Sequence, residues 1–211
     1  MKTLIVTGGT GGLGETVVRR LARTYRCILL YHSTLPEQAE GIKADLNDEG
    51  SIRAAIEQID DPYGLVHLAG GYAGGSVSET ATETWQKMIG LNLTSSFLVV
   101  RETLARMKRD RPGRIIAISS EATMTKPASA AAYTISKTGL NTLIELSAAE
   151  LAGTGITVNA LLPGSLETPA MRKAMPDAKL VSLDRVADTV EFLLSDGAAS
   201  ITGALIPLKA S

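Results

Sequence analysis

A glycine-rich turn near the start of the chain has the residue types that bind phosphate groups. The stretch from Thr7 to Gly14, TGGTGGLG, follows a short apolar run and precedes a segment with helical periodicity. Backbone without Cβ atoms lets a pyrophosphate approach closely, and the free N–H groups and dipole of the helix favour its negative charge. A glycine-rich turn without a ligand is the alternative. The position at the first strand-to-helix junction favours nucleotide binding.

A second pair of residues could carry acid–base chemistry. Tyr133 and Lys137 are four residues apart in a segment of helical period, so both side chains are expected on one helix face. An ammonium about 4 Å from a phenol, at an effective dielectric of about 20, contributes about 4 kcal/mol and would lower the phenol pKa by about three. Such a pair is frequent by chance and decides little alone. The residues around it must therefore be considered.

The alternation of apolar runs and helical segments indicates how these residues are positioned. It predicts an α/β fold, a Rossmann-type doubly wound parallel sheet with helices on both faces. Strands are expected at 4–7, 27–31, 64–68, 114–119, 156–162 and 204–208, and a weaker one at 42–44 makes about seven. Helices are expected at 12–24, 48–59, 82–109, 131–153 and 183–195. The interval 31–42 is too short for a full crossover helix, so the second helix of the usual set should be nearly absent.

Length, charge and composition limit the class of protein. The 211 residues, 45% of them hydrophobic, suit a single domain over residues 1–211. A formal net charge of -1 gives no reason to expect nucleic acid or an anionic membrane, and no apolar run approaches the roughly 20 residues that span a bilayer. A lone Cys27, two histidines and no secretion signal favour a cytoplasmic protein without a metal. The expected partner is a small molecule.

Over nearly its whole length the chain resembles the short-chain dehydrogenase/reductase family. The family fingerprint Thr-Gly-x-x-x-Gly-x-Gly is present at Thr7, Gly8, Gly12 and Gly14, and the pair Tyr-x-x-x-Lys at Tyr133 and Lys137. Ser120 stands thirteen residues before the tyrosine, at the position of the family's catalytic serine, and Asn92 matches its asparagine. Pro163-Gly164 and Thr168-Pro169 look like the elements that hold the nicotinamide carboxamide.

The resemblance implies an NAD(P)(H)-dependent oxidoreductase that moves a hydride between the nicotinamide and a carbonyl or alcohol. Tyr133 would donate a proton to the carbonyl oxygen, Ser120 would hydrogen-bond that oxygen, and Lys137 would hold the cofactor ribose. Asn92 would bend its helix and anchor a water that links Lys137 to solvent. These four residues form the expected catalytic set. Ser120, Tyr133 and Tyr72 are the expected substrate contacts.

The cofactor contacts that the resemblance implies are spread over the chain. They are Gly8, Thr10, Gly11, Gly12, Leu13, His32, Ser33, Asp45, Leu46, Ala69, Gly70, Tyr133, Lys137, Pro163, Gly164 and Thr168. Asp45 would contact the adenine amine, and a turn-forming acid is the alternative. The stretch 31–34, YHST, has no carboxylate to repel a phosphate, which favours NADP(H). It has no arginine either, so NAD(H) remains the alternative.

Several features depart from the family pattern. His67-Leu68-Ala69-Gly70 stands where the family usually has Asn-Asn-Ala-Gly, and we interpret His67 as a packed or hydrogen-bonded residue rather than a catalyst. Glu121 could face the substrate pocket or solvent. The stretches 69–75 and 167–178 look like segments of dihydropteridine reductases, but that group lacks the serine and carries the acidic residue missing here. A non-catalytic NADP(H)-sensing regulatory protein is the other alternative.

The resemblance also implies a homodimer or homotetramer. Family members usually associate through the two long helices, here near 82–109 and 131–153. Leu140, Leu143 and Leu146 could form such an interface, and core packing explains them equally well.

Overall fold

The computed structural model describes residues 1–210, which form one seven-stranded sheet in the order β3-β2-β1-β4-β5-β6-β7 with every neighbouring pair parallel. The strands are β1 (Thr3–Thr7), β2 (Arg26–Tyr31), β3 (Glu40–Lys43), β4 (Gly64–His67), β5 (Gly113–Ile118), β6 (Ile156–Pro163) and β7 (Leu205–Leu208). The order reverses between β1 and β4, as in a doubly wound sheet. The predicted α/β class is confirmed. Ser211, the last residue of the expected domain, lies outside the described residues.

Helices cover both faces of the sheet. They are α1 (Gly12–Leu21), α2 (Glu49–Ile56), α3 (Thr82–Ile89), α4 (Ser95–Arg106), α5 (Ala122–Thr125), α6 (Ala131–Glu150), α7 (Pro169–Ala174) and α8 (Leu183–Leu194). Apolar residues of α1 and α8 pack on one face, and those of α2, α4 and α6 pack on the other. The strands β4, β5 and β6 are buried along their whole length, which explains their continuous apolar sequences.

The predicted single helix over 82–109 is wrong. A π-helical segment, Gly90–Thr94, separates α3 from α4, and α4 ends at Arg106. Ser95 and Ser96 directly follow this π segment, and their hydroxyls donate to the carbonyls of Leu91 and Asn92 within it. Side-chain donors that compete for the carbonyl four residues earlier are a known cause of local helix distortion.

Other differences from the predicted elements concern short segments. Neither α5 nor α7 was predicted, because four and six residues are too few to show a helical period. Residues 32–39, all within the described part of the chain, contain no helix, so the expected loss of the second helix is confirmed. Within residues 1–210, no helix is both long and apolar enough to cross a membrane.

The three leucines considered for an oligomer interface have different environments. Leu140 is fully buried, and Leu143 packs partly against the core. Leu146 is 65% exposed on the outer face of α6. Core packing therefore explains the first two, and only Leu146 is available for another chain.

Candidate active site

The glycine turn, Thr7–Gly14, has the geometry of an anion-binding loop. Gly8 has φ of +67°, and a Cβ there would lie 2.6 Å from the backbone nitrogen of Ala69, so both the conformation and the space require glycine. Gly11 precedes α1 and has no side chain to cap it, which leaves the N–H groups of the first turn for a ligand. Cβ atoms at Gly11 and Gly12 would have their nearest neighbours 3.7 Å away. The open backbone therefore fits a pyrophosphate.

The residues expected around the adenosine lie at the ends of β2 and β3. His32 and Ser33 follow β2 and are exposed. Asp45 accepts hydrogen bonds through Oδ1 from the backbone N and the side-chain Nδ2 of Asn47, at 2.9 and 3.1 Å, and these bonds lower its pKa. Its Oδ2 has no hydrogen bond from residues 1–210, which leaves an ionised oxygen for an amine.

Two residues of the expected cofactor set contribute mainly to packing. The side chain of Leu13 is buried in the core between α1 and the sheet, and Leu46 packs partly against the opposite core. Any cofactor contact of Leu13 must therefore come from its backbone. Thr10 is exposed at the tip of the glycine turn.

Ser120, Tyr133 and Lys137 converge at the carboxyl end of β5. Ser120 follows β5, and its hydroxyl lies next to the Tyr133 phenol, whose pKa it lowers. Lys137 is one turn further along α6 and is almost completely buried, with Nζ donating to the Ile118 carbonyl at 2.8 Å. A Cβ on Gly70 would lie 3.0 Å from this Nζ. Three of the four expected catalytic residues therefore form one group, next to the loop after β4.

Asn92 ties the π segment to the same loop. Its Nδ2 donates to the Gly71 carbonyl at 3.0 Å, and its Oδ1 accepts from the Gly71 N–H at 2.9 Å. A Cβ on Gly70 would lie 2.8 Å from Oδ1, so Asn92 and Lys137 border the same glycine. Nδ2 also donates to Ser136, next to Lys137 on α6, at 3.1 Å. Asn92, which we expected to bend its helix, lies in the π segment between α3 and α4.

Burial dominates the ionisation of both reactive groups. It lowers the pKa of Lys137 to about 8. For Tyr133, burial is the largest influence and raises the pKa, the Ser120 hydroxyl lowers it, and the Tyr72 phenol raises it. The net shift of the Tyr133 pKa is therefore upward, opposite to the net lowering that we expected from Lys137. Tyr133 is a protonated phenol at neutral pH.

Tyr72, which we predicted to contact substrate, lies beside the Tyr133 phenol. Its ring meets that of Tyr133 edge to face, with centroids 5.0 Å apart and an interplanar angle of 70°. The side chain is 67% exposed. Tyr72 therefore contacts the Tyr133 ring with one part of its side chain and leaves most of its surface open to solvent.

The segment after β6 lies above the glycine turn. Pro163 is buried at the strand end, and the N–H of Gly164 donates to the Leu208 carbonyl at 3.0 Å. The Thr168 hydroxyl accepts from the Met171 N–H at 3.1 Å and caps α7. Its methyl group is 3.7 Å from a Cβ position at Gly12. The loops expected to hold the pyrophosphate and the nicotinamide carboxamide are therefore neighbours.

Glu121 follows Ser120 and lies against the segment after β6. Its N–H donates to the Pro163 carbonyl at 2.9 Å, and its Oε2 is 3.0 Å from a Cβ position at Gly164. The side chain is half-buried. The carboxylate of Glu121 therefore faces the gap between the ends of β5 and β6 rather than open solvent.

His67, which we expected to be packed or hydrogen-bonded, is fully buried and bonded through both ring nitrogens. Nδ1 is 2.8 Å from Thr7 Oγ1, and Nε2 is 2.8 Å from Ser96 Oγ. Sequence analysis did not identify Ser96 or Ser136. A serine four residues after Asn92 in a helical segment was the available signal for Ser96.

The chain is similar to known dehydrogenases and reductases over most of its length. A family model described as short chain dehydrogenase matches residues 2–179. A protein named as a ketoacyl reductase of the granaticin polyketide synthase, from Streptomyces violaceoruber, is 34% identical over 94% of this chain and 88% of its own. D-beta-hydroxybutyrate dehydrogenase from Rhizobium meliloti is 28% identical over 96% of this chain and 95% of its own. The solved structure of an actinorhodin polyketide ketoreductase with NADPH has a TM-score of 0.88 and 28% identity, covering 99% of this chain and 96% of its own.

Proposed function

Because the chain belongs to the short-chain dehydrogenase/reductase family of NAD(P)(H)-dependent oxidoreductases, we propose that Ser120, Tyr133, Lys137 and Asn92 catalyse hydride transfer between the nicotinamide and a carbonyl or alcohol carbon. The observation that supports this most is that the Ser120 hydroxyl is close enough to the Tyr133 phenol to lower its pKa against the larger effect of burial, with buried Lys137 one turn away. A carbonyl oxygen between two hydroxyls can receive a hydrogen bond from one and a proton from the other.

The residues have separate tasks in the proposed reduction. A bound reduced nicotinamide supplies the hydride to the carbonyl carbon. The phenol of Tyr133, protonated because burial raises its pKa, donates its proton to the carbonyl oxygen. Ser120 donates a hydrogen bond to that oxygen as negative charge develops. The Lys137 ammonium stabilises the phenolate that remains, and the reverse steps oxidise an alcohol.

The pKa of Lys137 predicts a pH dependence. Below about 8 the ammonium is charged and stabilises the phenolate, and above it the amine is neutral. We expect kcat for reduction to fall as pH rises through about 8. The measurement is kcat from about pH 6 to about pH 10, for the wild type and for Lys137→Arg, whose guanidinium stays charged over this range. An unchanged alkaline limb in the variant would assign the titration to another group.

We further propose that NADP(H) is the preferred cofactor. His32 and Ser33 are exposed immediately after β2, with no carboxylate in the stretch 31–34. Both side chains can donate hydrogen bonds to a 2′-phosphate. The actinorhodin ketoreductase, solved with NADPH, supports the same preference.

Introducing an acid at position 32 tests this preference. We expect His32→Asp to raise the KM for NADPH about tenfold, because its carboxylate repels the 2′-phosphate, and to change the KM for NADH little. His32→Asn, of similar size but uncharged, is the matched control and should have a smaller effect on NADPH. If His32→Asp raised the KM for NADPH and the KM for NADH equally, the 2′-phosphate would not lie next to residue 32.

For the substrate we propose a 3-oxoacyl compound. The relatives are named for ketoacyl and beta-hydroxybutyrate substrates, which share a ketone or alcohol close to an acyl or carboxyl group. The first test is the loss of NADPH and NADH absorbance with a 3-oxoacyl ester, a free 3-oxo acid and a quinonoid dihydropterin. Turnover of the ester supports the proposal, and turnover of the dihydropterin alone would favour a dihydropteridine reductase. Tight cofactor binding without any turnover would favour a regulatory sensor.

We also propose a homo-oligomer formed through the outer face of α4 and α6. Phe97 on α4 and Ile135 on α6 are each 46% exposed, and Leu146 lies three turns further along α6 on the same side as Ile135. Leu146→Glu should shift the molecular mass from light scattering toward the monomer. Phe192→Glu, at a 50% exposed position on α8, is the matched control. A monomeric wild type would contradict the proposal.

A further inference from the structure

His67 connects the glycine turn to the π segment through one continuous chain of hydrogen bonds. The N–H of Ala69 donates to Thr7 Oγ1 at 3.4 Å, and this oxygen is 2.8 Å from His67 Nδ1. On the other side of the ring, Nε2 is 2.8 Å from Ser96 Oγ, which donates to the Asn92 carbonyl at 2.7 Å. All the residues in this series of hydrogen bonds except Ala69 are buried.

The donors along the chain can be assigned from proton counting. Ser96 has one hydroxyl proton, and the carbonyl of Asn92 can only accept, so this proton is committed to Asn92. His67 Nε2 must therefore carry a proton and donate it to Ser96 Oγ. A neutral imidazole with Nε2–H has an acceptor at Nδ1, and Thr7 donates to it. Burial, with a smaller contribution from Lys137, lowers the pKa of His67 to about 3, which keeps the ring neutral.

We propose that His67 is a positioning residue, which as the neutral Nε2–H tautomer fixes the cofactor-binding turn and the π segment relative to each other. The proposal rests on the hydride-transfer function. The Thr7 end of the chain supports Ala69 beside Gly8, and the Ser96 end supports the carbonyl of Asn92, whose amide holds Gly71. A displacement at the Ser96 end would therefore pass through Asn92 to the loop that borders Lys137.

Two conservative variants separate the two ends of the chain. The amide of His67→Asn reaches the position of Nδ1 and can accept from Thr7, but it does not reach Ser96. The amide nitrogen of His67→Gln reaches the position of Nε2 and can donate to Ser96. We expect His67→Asn to lower kcat about tenfold with little change in the Kd for NADPH, and His67→Gln to raise that Kd more than it lowers kcat. Ser96→Ala should reproduce the kcat loss of His67→Asn.

A purely stabilising role would give a different result. In that case all three variants would lower the unfolding temperature, while the folded fraction kept wild-type kcat, Kd and pH profile, and the proposal would be overturned. The tautomer can be read directly from the ¹⁵N NMR spectrum, because the chain has only two histidines and the other, His32, is exposed. A protonated Nδ1 in His67 would also overturn it. NADPH binding and the NMR spectrum can be measured without turnover. A failure of the proposed hydride transfer can therefore be distinguished from a failure of the positioning role of His67.

Glu121 carries a second, independent inference about the substrate. No hydrogen-bond donor or cation among residues 1–210 pairs with its carboxylate, whereas the nearby Glu167 forms an ion pair with Arg172 at 2.7 Å. Glu121 is half-buried, its carboxylate lies against Gly164, and its backbone directly follows Ser120, which is expected to hold the carbonyl oxygen. An uncompensated charge in a partly buried place repels another anion more strongly than it would in water.

We infer that Glu121 is a specificity-determining residue that excludes free 3-oxo acids in favour of their uncharged esters and thioesters. This inference rests on the proposed reduction of 3-oxoacyl compounds. It requires only that the acyl end of the substrate lies near the gap between β5 and β6. The charge of Glu121 then acts on the carboxylate of the free acid and not on its uncharged methyl ester.

A free 3-oxo acid and its methyl ester, which differ in charge and by one methyl group, test this inference. For methyl 3-oxobutanoate and 3-oxobutanoate, we expect Glu121→Gln to lower the ester-to-acid ratio of kcat/KM about tenfold, through better use of the acid. Glu167→Gln, which removes a carboxylate already paired with Arg172, should leave the ratio unchanged. An unchanged ratio in Glu121→Gln would overturn the inference. Absence of turnover with both substrates would count against the proposed function, and calorimetric binding of the acid to the NADPH complex would then decide the role of Glu121.

Discussion

Replacing Tyr133 with phenylalanine should lower kcat/KM for carbonyl reduction by about 10²–10⁴-fold, the usual contribution of a general acid. The substitution removes only the hydroxyl, and the phenyl ring keeps its edge-to-face packing on Tyr72. The loss should therefore appear in kcat, while the Kd for NADPH changes little. The measurement is NADPH absorbance with the best substrate of the panel, together with calorimetric binding of NADPH.

A second tyrosine provides the control for this variant. Tyr25 donates to the Leu194 carbonyl at 3.3 Å and lies on the opposite side of the sheet from α6. Tyr25→Phe removes one buried hydrogen bond and should leave kcat/KM within a small factor of the wild type. If Tyr133→Phe kept wild-type activity, the proton donor would have to be another group and the proposed mechanism would be wrong.

Replacing Gly14 with alanine should destabilise the fold itself. A Cβ there would fall well inside van der Waals contact of the Gly8 carbonyl oxygen and would also press on the backbone of Gly9. Backbone atoms cannot rotate away as a side chain can, so we expect a loss of about 3 kcal/mol in the free energy of unfolding. For a chain of this size the unfolding temperature should fall by roughly 6–12 °C. Thermal unfolding without cofactor measures this directly.

A neighbouring glycine should respond in the opposite way. A Cβ on Gly12 would have its nearest neighbour, the methyl group of Thr168, 3.7 Å away, so Gly12→Ala should keep the unfolding temperature of the wild type. Its methyl group would instead occupy the open face of the turn, and the Kd for NADPH should rise strongly. If Gly12→Ala bound NADPH as tightly as the wild type, the pyrophosphate would not lie over this turn.

Most of the sheet could be predicted because a fully buried parallel strand is visible in the sequence as a continuous apolar run. The runs at β4, β5 and β6 are of this kind, and the sequence located each of them to within about two residues. The short helices α5 and α7 could not be predicted, because four and six residues are too few for the apolar pattern of a helix to repeat. The π segment was missed because a single inserted residue does not change the apolar pattern of a helix visibly, and the bonds of Asn92 to Gly71, 21 residues away, appear only in the folded chain.

By itself the sequence determined the residues whose relation is local. Tyr133 and Lys137 share a helix face because they are four residues apart, and the glycine turn follows a strand and begins a helix. Only the tertiary structure decided what depends on distant parts of the chain. His67 bonds to Thr7, 60 residues away, and to Ser96, 29 residues away, and the carboxylate of Glu121 lies against Gly164. The pKa of Tyr133 moves opposite to the expectation because burial, the largest influence, and the Tyr72 phenol raise it. Both arise only when the strands, the loop after β4 and α6 pack together.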